Sequence, residues 1–498
     1  MPEIVASTAP PDTAAPAASA DAGTQADAAA PTASQRELAS AVPASPAGPA
    51  DQESPTAPPP GLDLPPIAQA LRFVARPMAL HINAQRTFGD VWTLRLPSQR
   101  SGWIVTSHPD HLRSLMTANP ADAPSLTAES PLRPILGESS VLTTVGERHM
   151  RQRKLLLPAF HGDAVDSYVA AISRLTEREL DGWSTGEPFA LAPRMQAITL
   201  DVIMRGVFGL EPDDRDDGPE LALRHALSRV LRVTAHPLYA LLELRHAGAK
   251  EASGLLARLL ASLDRRLYDV ISQRRRTPPQ GRDDVLAVLL GARDESGEPL
   301  TDGELRDQLL TLVLAGHETT ANSLAWIFER LLRTPDAYAR LRESVRSDDG
   351  DAYVEATIHE GMRARPVIPM IVRRVMRPWR LGEHTLASGT PVAVSIIGLH
   401  HRPDLYSQPH AFRPERFLSA QGAFERPGTY NWIPFGGGIR RCLGATMAMA
   451  EQRVVVKAIA RRFDLVAPEP AWEAPRMRNV TMIPRGGCRV AVAHRYGT

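Results

Sequence analysis

Beyond about residue 164, apolar residues recur every three to four positions. That spacing predicts helices near 164–183, 190–208, 219–246, 251–276, 303–333 and 352–363. Thr334-Pro335-Asp336 and the Gly/Asp-rich stretch 347–351 punctuate the later ones. Elsewhere the period shortens to two. Val91-Trp92-Thr93-Leu94 and Ile104-Val105-Thr106 predict two strands of a small sheet. Residues 370–394 predict short strands with turns at Gly382 and Ser388-Gly389. A final helix is expected after Cys442, with Leu443, Met447, Ala450, Val454, Ala458 and Phe463 on or near one face. Cys488–His494 alternates like a strand, and no internal repeat is visible. The fold class expected is mainly α with small β-sheets, in one domain from 61 to 498.

Residues 1–60 break this pattern. They are dominated by Ala, Pro, Ser, Thr, Gly and Asp, with almost no large apolar side chains. Such a segment cannot bury enough surface to offset its ordering entropy. A disordered tail is expected, either dispensable or used for docking or tethering. Order is expected from about Pro60-Gly61-Leu62.

Composition narrows the function. Of 498 residues 43% are hydrophobic and 23% charged, which suits an enzyme with a sizeable core. The 57 basic residues nearly balance 56 acidic ones, so no nucleic-acid partner is expected. There are two cysteines, Cys442 and Cys488. That count excludes a disulfide framework and a four-cysteine cluster within the chain, and it suits a reducing cytoplasm. No apolar run approaches the roughly 20 residues of a membrane span. The N-terminus shows no basic region followed by an apolar core, so no secretory leader is expected.

The densest chemistry lies in Phe435-Gly436-Gly437-Gly438-Ile439-Arg440-Arg441-Cys442-Leu443-Gly444. Adjacent glycines permit left-handed backbone and the close approach of a flat ligand. Cys442 precedes a predicted helix, whose N-terminal dipole favours thiolate, the metal-binding form. Arg440 can pair with a ligand carboxylate, and Gly444 keeps the first helical turn clear of a planar ring. A structural cysteine beside a turn is the plain alternative. A phosphate-cradling loop is disfavoured, because it would end in Gly-Lys-Ser/Thr.

A second constellation is Ala315-Gly316-His317-Glu318-Thr319-Thr320 on the helix at 303–333. Gly316 leaves a gap on one face. The Thr319 hydroxyl can reach the carbonyl of Ala315, four residues back, and open the helix locally. An acid beside an alcohol there is a candidate proton relay. His317 reads as a surface or relay-adjacent residue. Glu360 and Arg363 are spaced to meet on one helix face, and Arg416 follows in Phe412-Arg413-Pro414-Glu415-Arg416-Phe417. His149 and Arg153 share a face at i, i+4. Strand alternation lets only one of Arg373 and Arg374 point inward.

The ten-residue Cys442 loop resembles the haem loop of the cytochrome P450 family. Four further segments look like that family's signatures, in its order: His149-x-x-x-Arg153, the Ala315–Thr320 groove, Glu360-x-x-Arg363, and the Arg416 loop. The resemblance covers about 61–498, and the Ala/Pro tail departs from it. It implies a haem b group between the long distal helix and the proximal helix after the Cys loop, with Cys442 as iron ligand. Phe435, Gly436, Gly444, Gly316 and Ala315 would border the ring. His149, Arg153, Arg373 and Arg440 would meet its propionates. Glu318 and Thr319 would deliver protons during O2 activation, and Glu360, Arg363 and Arg416 would form a structural triad.

No flavin or iron–sulfur domain is expected in the tail. The resemblance therefore implies electrons from NAD(P)H through a ferredoxin and its reductase, or a flavodoxin. Arg148, Arg151, Arg153, Lys154, Arg440 and Arg441 are candidates for a basic docking patch. Leu312, Ala315, Thr319, Val367, Ile368, Pro369 and Met370 are candidate pocket residues, with the 119–145 loop and parts of 198–245 closing the top. Their apolar character suggests a lipophilic substrate: a fatty acid, terpene, steroid or polyketide. The expected product is a hydroxylated or epoxidised molecule, and the expected protein a cytoplasmic monomer. A non-catalytic haem sensor and a peroxide-driven oxidase or isomerase are the alternative functions.

Overall fold

The computed structural model describes residues 54–97, 99–130, 132–160, 163–210, 218–235, 251–277, 284–347 and 350–497. The tail expectation for 1–53 and the helix expectation for 236–246 lie outside them. Within the described part, order begins before the expected boundary at 61. The Thr56 N–H donates to Thr385 O (3.0 Å), and Thr93 donates through N–H to Pro60 O and through Oγ1 to Pro59 O (2.7 and 2.6 Å).

The architecture is built around one helix, Asp302–Leu331, about 45 Å long at 1.5 Å per residue. Thr301 starts it with a capping box. Its hydroxyl accepts from the Glu304 N–H (3.2 Å), while the Glu304 carboxylate accepts from the Thr301 N–H (3.0 Å). Leu191–Phe208 lies along it, and Ala352–Ala364 and Ala445–Arg462 pack against it. Ile198, Val202, Leu324, Phe328, Ile358, Val455 and Ile459 form part of one core cluster among these helices. Each such side chain stabilises the fold by roughly 1.5–3 kcal/mol through burial. Asp163–Asp181, Pro219–Ala235 and Gly254–Arg276 complete the longer helices, all close to the expected spans.

Among the described residues five α-helices begin with proline: Pro66–Ala75, Pro77–Phe88, Pro109–Thr117, Pro219–Ala235 and Pro335–Ser347. Proline at the first helical position loses no hydrogen bond, so Pro335 opens a helix where the sequence showed only a break. Phe463, expected on the last helix, instead begins the strand Phe463–Val466. Cys488 sits at φ +60°, just before the strand Arg489–Arg495.

The main sheet has four strands in the order Val91–Leu96, Gln99–Thr106, Pro391–Ser395 and Met370–Arg374. Its middle pair is parallel and the flanking pairs antiparallel. Three small sheets hold the remaining strands. One is the hairpin Pro475–Arg478 with Thr481–Pro484.

Buried histidines set an acid limit. Burial pulls His81, His317 and His359 down to about 4, and His400 to about 3. His400 Nε2 accepts from the Ile433 N–H (3.0 Å), so the ring is neutral with its proton on Nδ1. A folded-state pKa below the unfolded 6.5 means the unfolded chain binds more protons between the two values. Stability from these groups is therefore complete above about pH 6.5 and lost as pH falls toward 4. The urea midpoint should drop between pH 7 and 5, and His400→Gln should flatten that slope. An identical slope in the variant would exclude His400 as a contributor.

Candidate functional site

The central helix is buried almost throughout, which makes its exceptions informative. Between Leu305 and Leu331 only Leu314, Ala315, Gly316, Glu318 and Thr319 escape full burial, and Ala315 is exposed. Thr319 Oγ1 donates to Ala315 O (2.6 Å), as its spacing predicted. Gly316 serves packing rather than a gap: a Cβ there would lie 2.9 Å from Ile203 Cδ1 on Leu191–Phe208. Its hydrogen thus lets the two helices approach.

Glu318 turns away from simple solvent exposure. Its Oε1 accepts from Arg478 Nε and Nη2 (2.9 and 2.8 Å) and from Thr481 Oγ1 (2.9 Å). Both partners lie on the C-terminal hairpin, and nothing in the sequence near Glu318 pointed to them. His317, expected at the surface or beside the relay, is buried, which rules out the first, and its Nδ1 has no partner among the described residues.

Cys442 lies between a glycine turn and the helix Ala445–Arg462, with Gly444 at the N-cap. Its N–H donates to Phe435 O (2.9 Å), closing the loop on itself. Gly436 and Gly438 adopt φ +69° and +62°. At Gly438 a Cβ would also collide with Met116 O, so only glycine fits. A Cβ on Gly444 would meet nothing within 4 Å. The Cys442 side chain is accessible yet deep in the protein. That depth pushes its thiol pKa up, while the Gly444 N–H, Arg441 and Arg153 pull it down. A bound metal cation would pull it further down, to thiolate.

A cationic edge lies beside the loop. His149, Arg373 and Arg440 line one pocket with Met116, Val145 and Ile439. Burial, Arg440, Arg153 and Arg373 hold His149 down at about 3. Burial holds Arg373 at about 10, and burial with Arg373 and Arg153 does the same to Arg440. Arg440 Nη1 donates to Val141 O (2.9 Å), and Nη2 to Thr127 Oγ1 (3.0 Å) and Thr144 O. Among the described residues no carboxylate pairs with Arg153, Arg373 or Arg440. Arg374 points elsewhere and pairs with Glu129 (3.0 Å), which decides the strand alternation for Arg373.

Glu360, Arg363 and Arg416 do come together. Glu360 Oε2 accepts from Arg363 Nε (2.6 Å) and lies 3.0 Å from Arg416 Nε. Glu360 Oε1 accepts from Arg363 Nη2 and from the Arg413 N–H (both 2.8 Å). Glu360 and Arg363 are completely buried.

Two groupings need correction. Arg151 and Lys154 are not free cations. Arg151 pairs with Asp294 (2.8 Å) and Glu304 (2.7 Å), and Lys154 with Glu295 (2.5 Å). Arg440 is turned inward. Of the expected docking patch, Arg148 and Arg441 stay exposed without a carboxylate partner among the described residues. The apolar pocket candidates also divide. Leu312, Val367 and Pro369 are buried, while Ile368 and Met370 are partly accessible.

The residues present fit a haem. An accessible thiol preceded by a glycine turn, a window in the central helix, three arginines without a carboxylate partner among the described residues and the neutral His149 beside them suit a flat, dianionic, thiolate-bound cofactor. That is the class of a haem-thiolate centre.

Comparison with known proteins gives the family. The cytochrome P450 family model matches residues 58–487. The putative cytochrome P450 137 of Mycobacterium tuberculosis is 37% identical over 444 residues, covering 87% of this chain and 90% of its own length. The putative cytochrome P450 135B1 of Mycobacterium bovis is 36% identical, covering 87% and 91%. Retinoic acid-bound cyanobacterial CYP120A1 superposes with a TM-score of 0.74 at 25% identity, over 89% of this chain and all of that one. The chain belongs to the cytochrome P450 family. It is a haem-thiolate monooxygenase with the P450 fold. No helix among the described residues is long and apolar enough to cross a membrane.

Proposed function

We propose that this monooxygenase binds its haem through Cys442 and oxidises a lipophilic small molecule, with electrons from separate redox partners. The observation that carries the site assignment is the cluster of His149, Arg153, Arg373 and Arg440 with no carboxylate of its own among the described residues. Its charge suits the two propionates. When bound, the haem supplies O2 activation and transfer of one oxygen atom to the substrate.

The chain's own residues position and protonate. Cys442 would supply a thiolate to the iron, with the Gly444 N–H favouring the charged sulfur. Thr319 commits its hydroxyl proton to Ala315 O, which leaves its lone pairs facing the accessible window. It can hold a water or accept and pass a proton there. Glu318 keeps Oε2 free of protein bonds among the described residues, so it can exchange protons while Arg478 fixes Oε1. Ala315, Ile368 and Met370 offer apolar surface for the substrate. The retinoic acid held by the cyanobacterial structure supports a lipophilic guest. The cationic residues left for an acidic ferredoxin or flavodoxin are Arg148 and Arg441, and NAD(P)H would be the ultimate donor.

Thr319→Ala tests the relay. In a reconstituted system with NAD(P)H, reductase, ferredoxin and O2, product formation should fall on the order of a hundredfold, within the range of a positioned proton donor. NAD(P)H consumption should continue, with peroxide released. Fully coupled turnover in the variant would contradict the relay. Product formed only with added peroxide in the wild type would replace O2 activation by peroxide chemistry.

A further inference from the structure

Arg440 hangs on backbone carbonyls, and a helix far away in sequence holds those carbonyls in place. The segment Ser139–Thr144 is irregular, so its backbone groups need partners from outside. They come chiefly from Asp302–Leu331. Gln308 Oε1 accepts from the Val141 N–H (3.0 Å), and Gln308 Nε2 donates to Ser139 O (2.6 Å). Asp307 Oδ2 accepts from the Ser139 N–H (2.9 Å), and Thr311 Oγ1 donates to Ser140 Oγ (2.6 Å). Gln152 adds a second clamp: Nε2 donates to Ser139 O, and Oε1 accepts from Thr144 Oγ1 (2.6 Å).

Val141 joins the two sides. Its N–H goes to Gln308, and its carbonyl takes the Arg440 Nη1–H (2.9 Å). Gln308 is 1% exposed and uses both ends of its amide, so it has no freedom to follow a displaced loop. The guanidinium it serves has no carboxylate partner among the described residues. Its position is therefore set by neutral acceptors, the Val141 and Thr144 carbonyls and the Thr127 hydroxyl, and these are only as fixed as their own clamps.

We infer that Gln308 is a positioning residue for Arg440. By clamping Ser139 O and the Val141 N–H it fixes the residue whose carbonyl helps aim the Arg440 charge at the propionate edge. The inference rests on the proposed role of Arg440 as a propionate partner. It links the distal helix to the Cys442 loop through one residue, Val141.

The test is a double-mutant cycle on the full-length haem-loaded protein, read as the rate of haem loss to excess apomyoglobin. Gln308→Leu and Arg440→Leu should each speed loss about tenfold, the low end for supporting residues around a bound metal. The double variant should lose haem no faster than the quicker single, because both changes disable one device. Gln308→Glu keeps the acceptor for Val141 N–H but, ionised, cannot donate to Ser139 O. Its haem loss should slow on acidification relative to Gln308→Leu, as the protonated carboxyl regains a donor. Should Gln308 variants not load haem, Thr311→Val with Arg440→Leu runs the same cycle with a smaller expected effect of the same sign. Additive effects, or a Gln308→Leu protein that retains haem like wild type while Arg440→Leu does not, would overturn the link. An Arg440→Leu protein with wild-type haem retention would overturn the propionate role itself.

Discussion

Glu360→Ala is expected to prevent accumulation of folded, haem-loaded protein. Glu360 is completely buried, accepts from three donors, Arg363 Nε and Nη2 and the Arg413 N–H, and forms an ion pair with Arg416. Removing it leaves two guanidinium groups in the interior without counter-charge. Breaking a buried pair by deleting one partner costs about 3–5 kcal/mol. Whole domains are stable by only about 5–15 kcal/mol, so one such change removes a large fraction of the total. Arg363 has further acceptors in His400 O and Pro409 O (2.8 and 2.9 Å), but these carbonyls are neutral dipoles and do not cancel its charge. Glu360→Gln should be less severe, since it keeps the shape and one acceptor. Thermal midpoint and the ratio of haem to protein measure both. A Glu360→Ala protein with an unchanged midpoint and full haem content would show that the triad is dispensable.

Cys442→Ala should have the largest effect on activity. Under the proposed ligation its loop has no counterpart among the described residues. Gly438 lets the backbone pass Met116 O, the Cys442 N–H closes on Phe435 O, and the Gly444 N–H faces the sulfur. The other cysteine cannot substitute. Cys488 is fully buried among the apolar side chains of the main core, and burial pushes its thiol well above the usual range. Turnover with NAD(P)H, partners and O2 should fall below detection, while the fold persists because alanine fills less space and strains nothing. Retention of even a tenth of wild-type turnover would be incompatible with thiolate ligation through Cys442.

The parts legible in the sequence were those fixed by neighbours along the chain. The glycine turn before Cys442, the Thr319 bond to Ala315 and the Glu360–Arg363 spacing each depend on residues within one or two turns. The choice between Arg373 and Arg374 could be posed from strand alternation. It was decided by Glu129, which lies 245 positions from Arg374. Long-range partners were invisible for the same reason. Arg478 reaches Glu318 across 160 positions, and Asp294 reaches Arg151 across 143. Neither has a local signature, because an ion pair formed by folding leaves no periodicity behind. Gly316 shows the converse. Its smallness was legible, but its beneficiary, Ile203, was not. The helices opened by Pro66, Pro77, Pro109 and Pro335 carry no distinct signal, because proline ends a helix on its N-terminal side and starts one on its C-terminal side.

The central claim is thiolate ligation of haem by Cys442, and the reduced carbon monoxide complex of the full-length protein tests it most directly. The wild-type complex should show the strongly red-shifted Soret band of a thiolate-bound haem, and Cys442→Ser should lose that shift while Cys488→Ser retains it. A folded, haem-loaded wild-type protein whose complex lacks the shifted band, or a Cys442→Ser protein that keeps it, would contradict the assignment.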